Sequence, residues 1–194
     1  MSISLKDATI IGIHGPLNGG KDTVANYIQT LFPRKYRRYA FAKPLKDACK
    51  VLFGFTDLQL EDRKLKEEVD PFWGFTPRKA MQLLGTEYGR NMMRKDVWIK
   101  RAEMEHLANQ NAGFCTIITD VRFENEAEWL RSMPGASLIY LTVPDLVKDE
   151  RYNHESEMGI SRDANDHVIC NDKSLGLEDL YSKIKYSFFG EESA

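Results

Sequence analysis

Residues 8–23, ATIIGIHGPLNGGKDT, constrain this chain more than any other stretch. A β-branched run passes directly into a glycine-rich turn, and a lysine then opens a segment of helical periodicity. The spacing Gly15, four residues, Gly20, Lys21 is that of a phosphate-binding loop. In such a loop consecutive backbone N–H groups and a helix N-terminus face an anion, while the lysine reaches its outer oxygens. The motif leaves a strand, opens a helix and lies early in the chain, so it reads as a nucleotide site.

One position departs from the pattern. Asp22 stands where the loop ordinarily carries a serine or threonine hydroxyl, and Thr23 follows one place late. An acid in the first helical turn complements the helix dipole by a few tenths of a kcal/mol. A carboxylate beside a polyphosphate also adds repulsion unless a cation sits between them, and magnesium takes oxygen ligands readily. Asp22 is therefore a candidate magnesium ligand, directly or through water, and Thr23 can share that role.

The rest of the chain alternates strands and helices. Strands are expected at 8–13, 37–42, 114–122, 136–143 and 167–171, and helices from Lys21 to Pro33, after Pro44, at 78–88, at 96–110, at 124–133 and after residue 171. The last helix would carry Leu177, Leu180, Tyr181, Ile184 and Phe188 on one stripe, with a frayed EESA end. This order predicts a single α/β domain over 1–194 with a parallel five-stranded sheet flanked by helices. Residues 54–77, polar and broken by Asp70-Pro71, read as a mobile excursion. Residues 144–166 are long, charged and unpatterned, which suits a lid.

A formal net charge of -2 gives no reason to expect nonspecific nucleic-acid binding. No apolar run approaches the roughly 20 residues needed to span a bilayer, and the start does not read as a signal peptide. Cys49, Cys115 and Cys170 are odd in number and widely spaced, as in a reduced cytosolic protein. His14 and His154 have no second ligand at metal spacing and read as hydrogen-bonding loop residues.

GKDT in such a loop resembles the bacteriophage deoxynucleoside monophosphate kinases. FAKPLKDA, RKAMQLLGTE, DVRFENE, HESE, SRDAND and VICNDKSLGLEDLYSKI resemble further family segments, in family order and over nearly the whole chain. The resemblance implies a P-loop kinase fold with an acceptor-binding region at about 43–112 and a lid at about 144–166. It implies transfer of the ATP γ-phosphoryl group to a deoxynucleoside 5′-monophosphate, with magnesium. It also implies a cytoplasmic protein, in the host cell if a phage encodes it. Its partners would be small-molecule substrates, without nucleic acid or membrane, and a homodimer stays open. The chain departs from the family at Val143, where an arginine is expected, so a basic lid function falls to Lys148, Arg151 or Arg162.

Residue roles follow. Gly15, Leu17, Asn18, Gly19, Gly20, Lys21, Asp22 and Thr23 would bind ATP, and Asn171 resembles the loop that cups the adenine. Asp120, closing a strand, is a second magnesium candidate in the manner of a Walker-B acid. Lys21, Asp22, Arg122 and Arg162 form the catalytic set, Arg162 because SRDAND keeps the family's arginine-aspartate pair. Arg78, Gln82 and Thr86 share a helix face, with an amide for a base edge and a guanidinium for a phosphate, and Glu87 follows as a fourth acceptor candidate. Lys43, Trp98, Arg122 and Glu126 complete the acceptor set. Lys43 reads equally as exposed surface and Glu126 as part of a solvent-facing run, while Trp98 and Trp73 could stack on a base but such residues are more often core or rim. Phosphomevalonate and dephospho-coenzyme A kinases are alternatives within the kinases. A P-loop ATPase or switch is the alternative outside them.

Overall fold

The structure, a computed structural model, describes residues 4–144 and 159–190. The chain separates into two compact units, Met1–Ala40 with Glu103–Ala194, and Phe41–Ala102. The second overlaps most of the stretch read as the acceptor region, about 43–112, while residues 103–112 belong to the first.

The first unit is built on a sheet of order β2-β3-β1-β4-β5. Every pairing is parallel. Its strands are β1 (Ile10–His14), β2 (Tyr36–Tyr39), β3 (Cys115–Val121), β4 (Ala136–Thr142) and β5 (His167–Cys170). The central strand β1 is buried along its whole length, which is why it reads as a continuous apolar run rather than an alternating one. The second strand stops at Tyr39, short of the expected residue 42, because α2 (Ala42–Phe53) begins there. Pro44 falls in the first helical turn, where its missing N–H costs nothing.

Helices α1 (Lys21–Leu31), α6 (Glu124–Ser132) and α7 (Gly176–Phe189) flank the sheet. Val24, Ala25 and Ile28 of α1 join Leu180, Ile184 and Phe188 of α7 and the sheet residues Ile11, Ile13, Ile117, Ile139, Leu141 and Ile169 in one core. Full burial of a side chain such as Ile28 contributes about 1.5–3 kcal/mol. Leu177 leaves the expected stripe: it sits in the first turn of α7 and is 56% exposed. Helix α5 (Val97–Asn111) ends in this unit, where His106 and Asn109 both bond the buried Thr116 hydroxyl, at 3.0 and 3.1 Å.

Because all five strands are parallel, their carboxyl ends share one edge, where open α/β sheets hold their ligands. At that edge the β1–β3 register shifts, from Gly12 opposite Ile118 to His14 opposite Val121. Strand β3 thus carries one extra residue, a bulge of the kind that re-aims side chains beside functional sites. Asp120 lies in it.

The second unit holds α2, α3 (Asp57–Glu61), α4 (Pro77–Gln82), a π-helix (Leu83–Met93) and the start of α5. The stretch expected to be mobile, 54–77, is folded and packed. Phe55 and Leu60 are buried with Cys49 and Ala80, and Phe53 and Phe75 close over them. Thr56 and Gln59 form a capping box at the start of α3. Asp70 accepts from the amides of Phe72 (3.0 Å) and Trp73 (3.2 Å), and the Trp73 indole donates to the Phe53 carbonyl at 2.8 Å. The Asp-Pro break is a structured turn. The helix expected at 78–88 runs on to Met93 with π winding from Leu83, a rare form that recurs at functional sites. Among the described residues no helix is long and apolar enough to cross a membrane.

Candidate active site

The glycine-rich loop joins β1 to α1. Asn18 and Gly20 both take positive φ, 62° and 95°, which curls the chain back over the start of α1. A side chain at Gly20 would be strained by that φ, and its Cβ would lie 2.6 Å from the Asn171 amide nitrogen. Lys21 Nζ donates to the carbonyls of Gly15 (2.7 Å) and Pro16 (2.8 Å), so the ammonium is held over the loop it follows.

Asn171, at the exit of β5, is buried, and its amide donates to the Gly19 carbonyl at 2.9 Å. In a trans peptide the C=O and the next N–H point to opposite sides. Pinning the Gly19 carbonyl therefore also fixes the direction of the Gly20 N–H. Asn171, read from sequence as an adenine contact, thus braces the glycine-rich loop.

Asp22, in the first turn of α1, is paired with Arg38 of β2, whose other arm donates to Asn26 Oδ1 at 2.6 Å. At the end of β3, Asp120 is half-buried on the bulge. The Glu126 carboxylate is buried and accepts from the backbone amides of Arg122 (2.8 Å) and Phe123 (3.2 Å). It is no solvent-facing residue: it fixes the turn from which Arg122 projects. His14 closes β1 with Nδ1 2.9 Å from the Val121 carbonyl, so Nδ1 carries the proton and Nε2 is bare in the neutral ring. Burial pushes its pKa below the usual value; the bond to Val121 opposes this, and nearby Lys21 and Arg122 add to it.

The segment leading into β5 is tied to α6. Arg131 grips Asp166 through Nε (3.1 Å) and Nη2 (2.7 Å), and donates to Glu124 (3.2 Å) and to the Ser161 carbonyl (2.7 Å). Glu124 in turn accepts from the Ser161 amide at 2.7 Å. Since Asp166 belongs to Arg131 and Asp163 accepts from Asn165, Arg162 makes no ion pair among the described residues and stays exposed. Lys148, Arg151 and His154 lie outside the described residues, as does most of the expected lid.

In the second unit Lys43 is exposed and pairs with Asp47 at 2.9 Å. Hydrogen bonds from Lys43 and Lys50 hold the Asp47 carboxyl below its usual range. Arg78 pairs with Glu67. Gln82 ends α4, and Thr86 and Glu87 follow on the π-helix, where Glu87 accepts from Asn91 at 3.2 Å. Trp98 packs on that π-helix: its indole donates to the Gly85 carbonyl at 2.8 Å, and a Cβ at Gly89 would come within 2.8 Å of its ring.

The family model for deoxynucleotide monophosphate kinase matches residues 59–184. The chain belongs to that family. The deoxynucleoside-5′-monophosphate kinase of Escherichia phage T5 is 27% identical, over 93% of this chain and 96% of its own. A protein of Acanthamoeba polyphaga mimivirus, provisionally named a deoxynucleotide monophosphate kinase, is 33% identical over 90% of this chain and 93% of its own. The deoxynucleotide monophosphate kinase of Enterobacteria phage T4 is 35% identical over 56% of this chain and 43% of its own.

For a member of the deoxynucleotide monophosphate kinase family, the structure adds three residues that sequence reasoning passed over. Arg38 sits in a strand whose neighbouring residues alternate in direction: Arg37 lies 3.8 Å over the Phe114 ring while Arg38 turns to Asp22. That alternation was the available signal. Arg131 and Asp166 are 35 positions apart, and nothing local in the sequence pairs them.

Proposed function

We infer that the protein is a phosphotransferase that moves the γ-phosphoryl group of ATP to a deoxynucleoside 5′-monophosphate, giving the diphosphate and ADP. Membership of the family, with relatives aligned over 90% of the chain, is the observation that carries this reading. An oxygen of the acceptor's 5′-phosphate bonds to the γ-phosphorus as the bond to the β,γ-bridging oxygen breaks, and ADP leaves with that electron pair. The protein's share of such chemistry is positioning and charge neutralisation.

The loop from Gly15 to Thr23 binds the ATP phosphates through its amides, with Lys21 on the outer oxygens and Asn171 holding the loop in shape. Lys21 is carried on the residue that opens α1, so the helix N-terminus and the ammonium act on the same anion. Arg122 and Arg162 supply positive charge to the reacting phosphates. Lys43, Arg78, Gln82, Thr86, Glu87 and Trp98 serve the acceptor nucleotide, and Glu126 supports Arg122 through its backbone.

Magnesium fits the donor set. Among the described residues no cluster of three or more His, Cys, Asp or Glu could cage a metal. Magnesium needs no cage: one or two carboxylates beside substrate phosphates suffice. Asp22, well exposed beside the loop, and Asp120, on the bulge, would hold it. When bound it offsets charge on the β- and γ-phosphate oxygens.

An ADP-release assay across the deoxynucleoside and ribonucleoside monophosphates tests the reading. We expect turnover with ATP, magnesium and at least two of dGMP, dTMP and dCMP. Inactivity with every deoxynucleotide, alongside activity on phosphomevalonate, reverses the assignment. ATP hydrolysis unaffected by any monophosphate would point to a switch.

A further inference from the structure

The loop acid has a resident partner. Asp22 follows Lys21 directly, where a hydroxyl would add no charge, and a carboxylate there stands beside the phosphates the loop is read to bind. Uncompensated, it would repel them. Arg38 supplies the compensation: its Nη2 donates to Asp22 Oδ1, and its Nη1 to Asn26 Oδ1 at 2.6 Å. Asp22 and Asn26 are four residues apart on α1, hence on one face, and the planar guanidinium bridges them. The fork fixes where the charge sits, which a flexible lysine would not do as well.

The pair is not closed. Arg38 engages Oδ1, and among the described residues nothing donates to Oδ2. An ionised carboxylate offers about four lone-pair sites. The Asp22 side chain is 79% exposed, against 32% for Arg38, so the acid stays accessible to a second cation while paired. Two cations on one carboxylate weaken each other's hold, and that coupling is reciprocal.

We propose that Arg38 is a positioning residue that neutralises Asp22 until magnesium takes the carboxylate over. It thereby lets nucleotide bind without metal, and it sets how much magnesium the site requires. The inference rests on the reading of the loop as a magnesium-ATP site.

The test is calorimetric. ATP binding is measured in excess chelator, and the magnesium half-saturation is measured separately with ATP bound. Arg38→Met should weaken metal-free ATP binding about fivefold, the upper end for an exposed charge pair, and should lower the magnesium half-saturation by a similar factor. Both shifts should disappear when the change is made in an Asp22→Asn background, where there is no charge to compensate. Arg38→Lys should retain part of the metal-free binding. Should Arg38→Met fail to fold, Arg38→Lys against Asp22→Asn still reads the coupling. If Arg38→Met leaves both constants unchanged, or shifts them equally with and without Asp22, the proposal is overturned. Should the wild-type protein bind no magnesium-ATP, the reading of the loop falls and takes the proposal with it. A wild type that binds and turns over, with unshifted variants, sinks the proposal alone.

Discussion

Removing Arg131 should cost this fold more than removing any exposed arginine. The Asp166 side chain is 1% exposed and receives both a fork from Arg131, at 3.1 and 2.7 Å, and the amide of Asp163 at 2.8 Å. Its carboxylate strengthens the guanidinium's hold on its proton, pushing the Arg131 pKa further up. Arg131→Ala leaves a buried carboxylate with one backbone donor, and breaking a buried pair in this way costs about 3–5 kcal/mol. Arg131 keeps some exposure, so the lower end, about 3 kcal/mol, is the expected loss. In a chain of this size 1 kcal/mol moves Tm by about 2–4 °C, so the variant should melt roughly 6–12 °C below the wild type. Scanning calorimetry reads this directly, and Arg131→Lys should recover part of the loss. The same change frees the Ser161 carbonyl, beside Arg162. Activity should therefore fall as well, in a preparation still folded at the assay temperature. An Arg131→Ala protein melting within a degree of wild type would refute the claim that this pair anchors the segment before β5.

Asp22→Ala should depress kcat by roughly a hundredfold or more, the scale of a lost electrostatic stabiliser, and Asp22→Ser should recover part of it. Near-normal kcat and magnesium dependence would reduce Asp22 to a helix cap. Arg162→Ala should lower kcat about a thousandfold, as loss of an arginine finger does, while moving Tm little because the side chain is exposed and unpaired among the described residues. Normal turnover would assign the role to another cation. His14 has a folded pKa below its unfolded 6.5, so the unfolded chain takes up protons first as pH falls. Its contribution is fully present above 6.5 and is lost as pH falls through the folded value; His106, shifted the same way by burial, adds to the trend. Denaturant unfolding of His14→Gln should show a shallower loss of stability between neutral and mildly acid pH. An unchanged slope would show that His14 does not titrate on unfolding.

The features legible from sequence were those written locally. A β-branched run, a glycine turn and a lysine specify β1, the loop and α1 within sixteen residues, 8–23, and β3 and β4 announce themselves by their own apolar runs. Contacts made at long range were not legible. Arg131 and Asp166 meet only once β5 and α6 are in place, and Asn171 reaches Gly19 across 152 positions. The stretch 54–77 looked polar because its few apolar residues are spaced irregularly, yet Phe55, Leu60 and Phe75 suffice to build a small core with Cys49. The π-helix leaves an ordinary helical periodicity in the sequence. Its marks are Gly85 and Gly89, whose missing side chains admit Leu45 and Trp98, and such closeness shows only in three dimensions. Trp98, a base-stacking candidate by residue type, is also held by that packing.

The most direct measurement is chromatographic separation of the nucleotides after the protein is incubated with γ-labelled ATP, magnesium and a single deoxynucleoside monophosphate. Label should leave ATP and appear in the matching deoxynucleoside diphosphate, in amounts equal to the ADP formed. Label recovered only as inorganic phosphate, with the monophosphate untouched, would contradict that transfer.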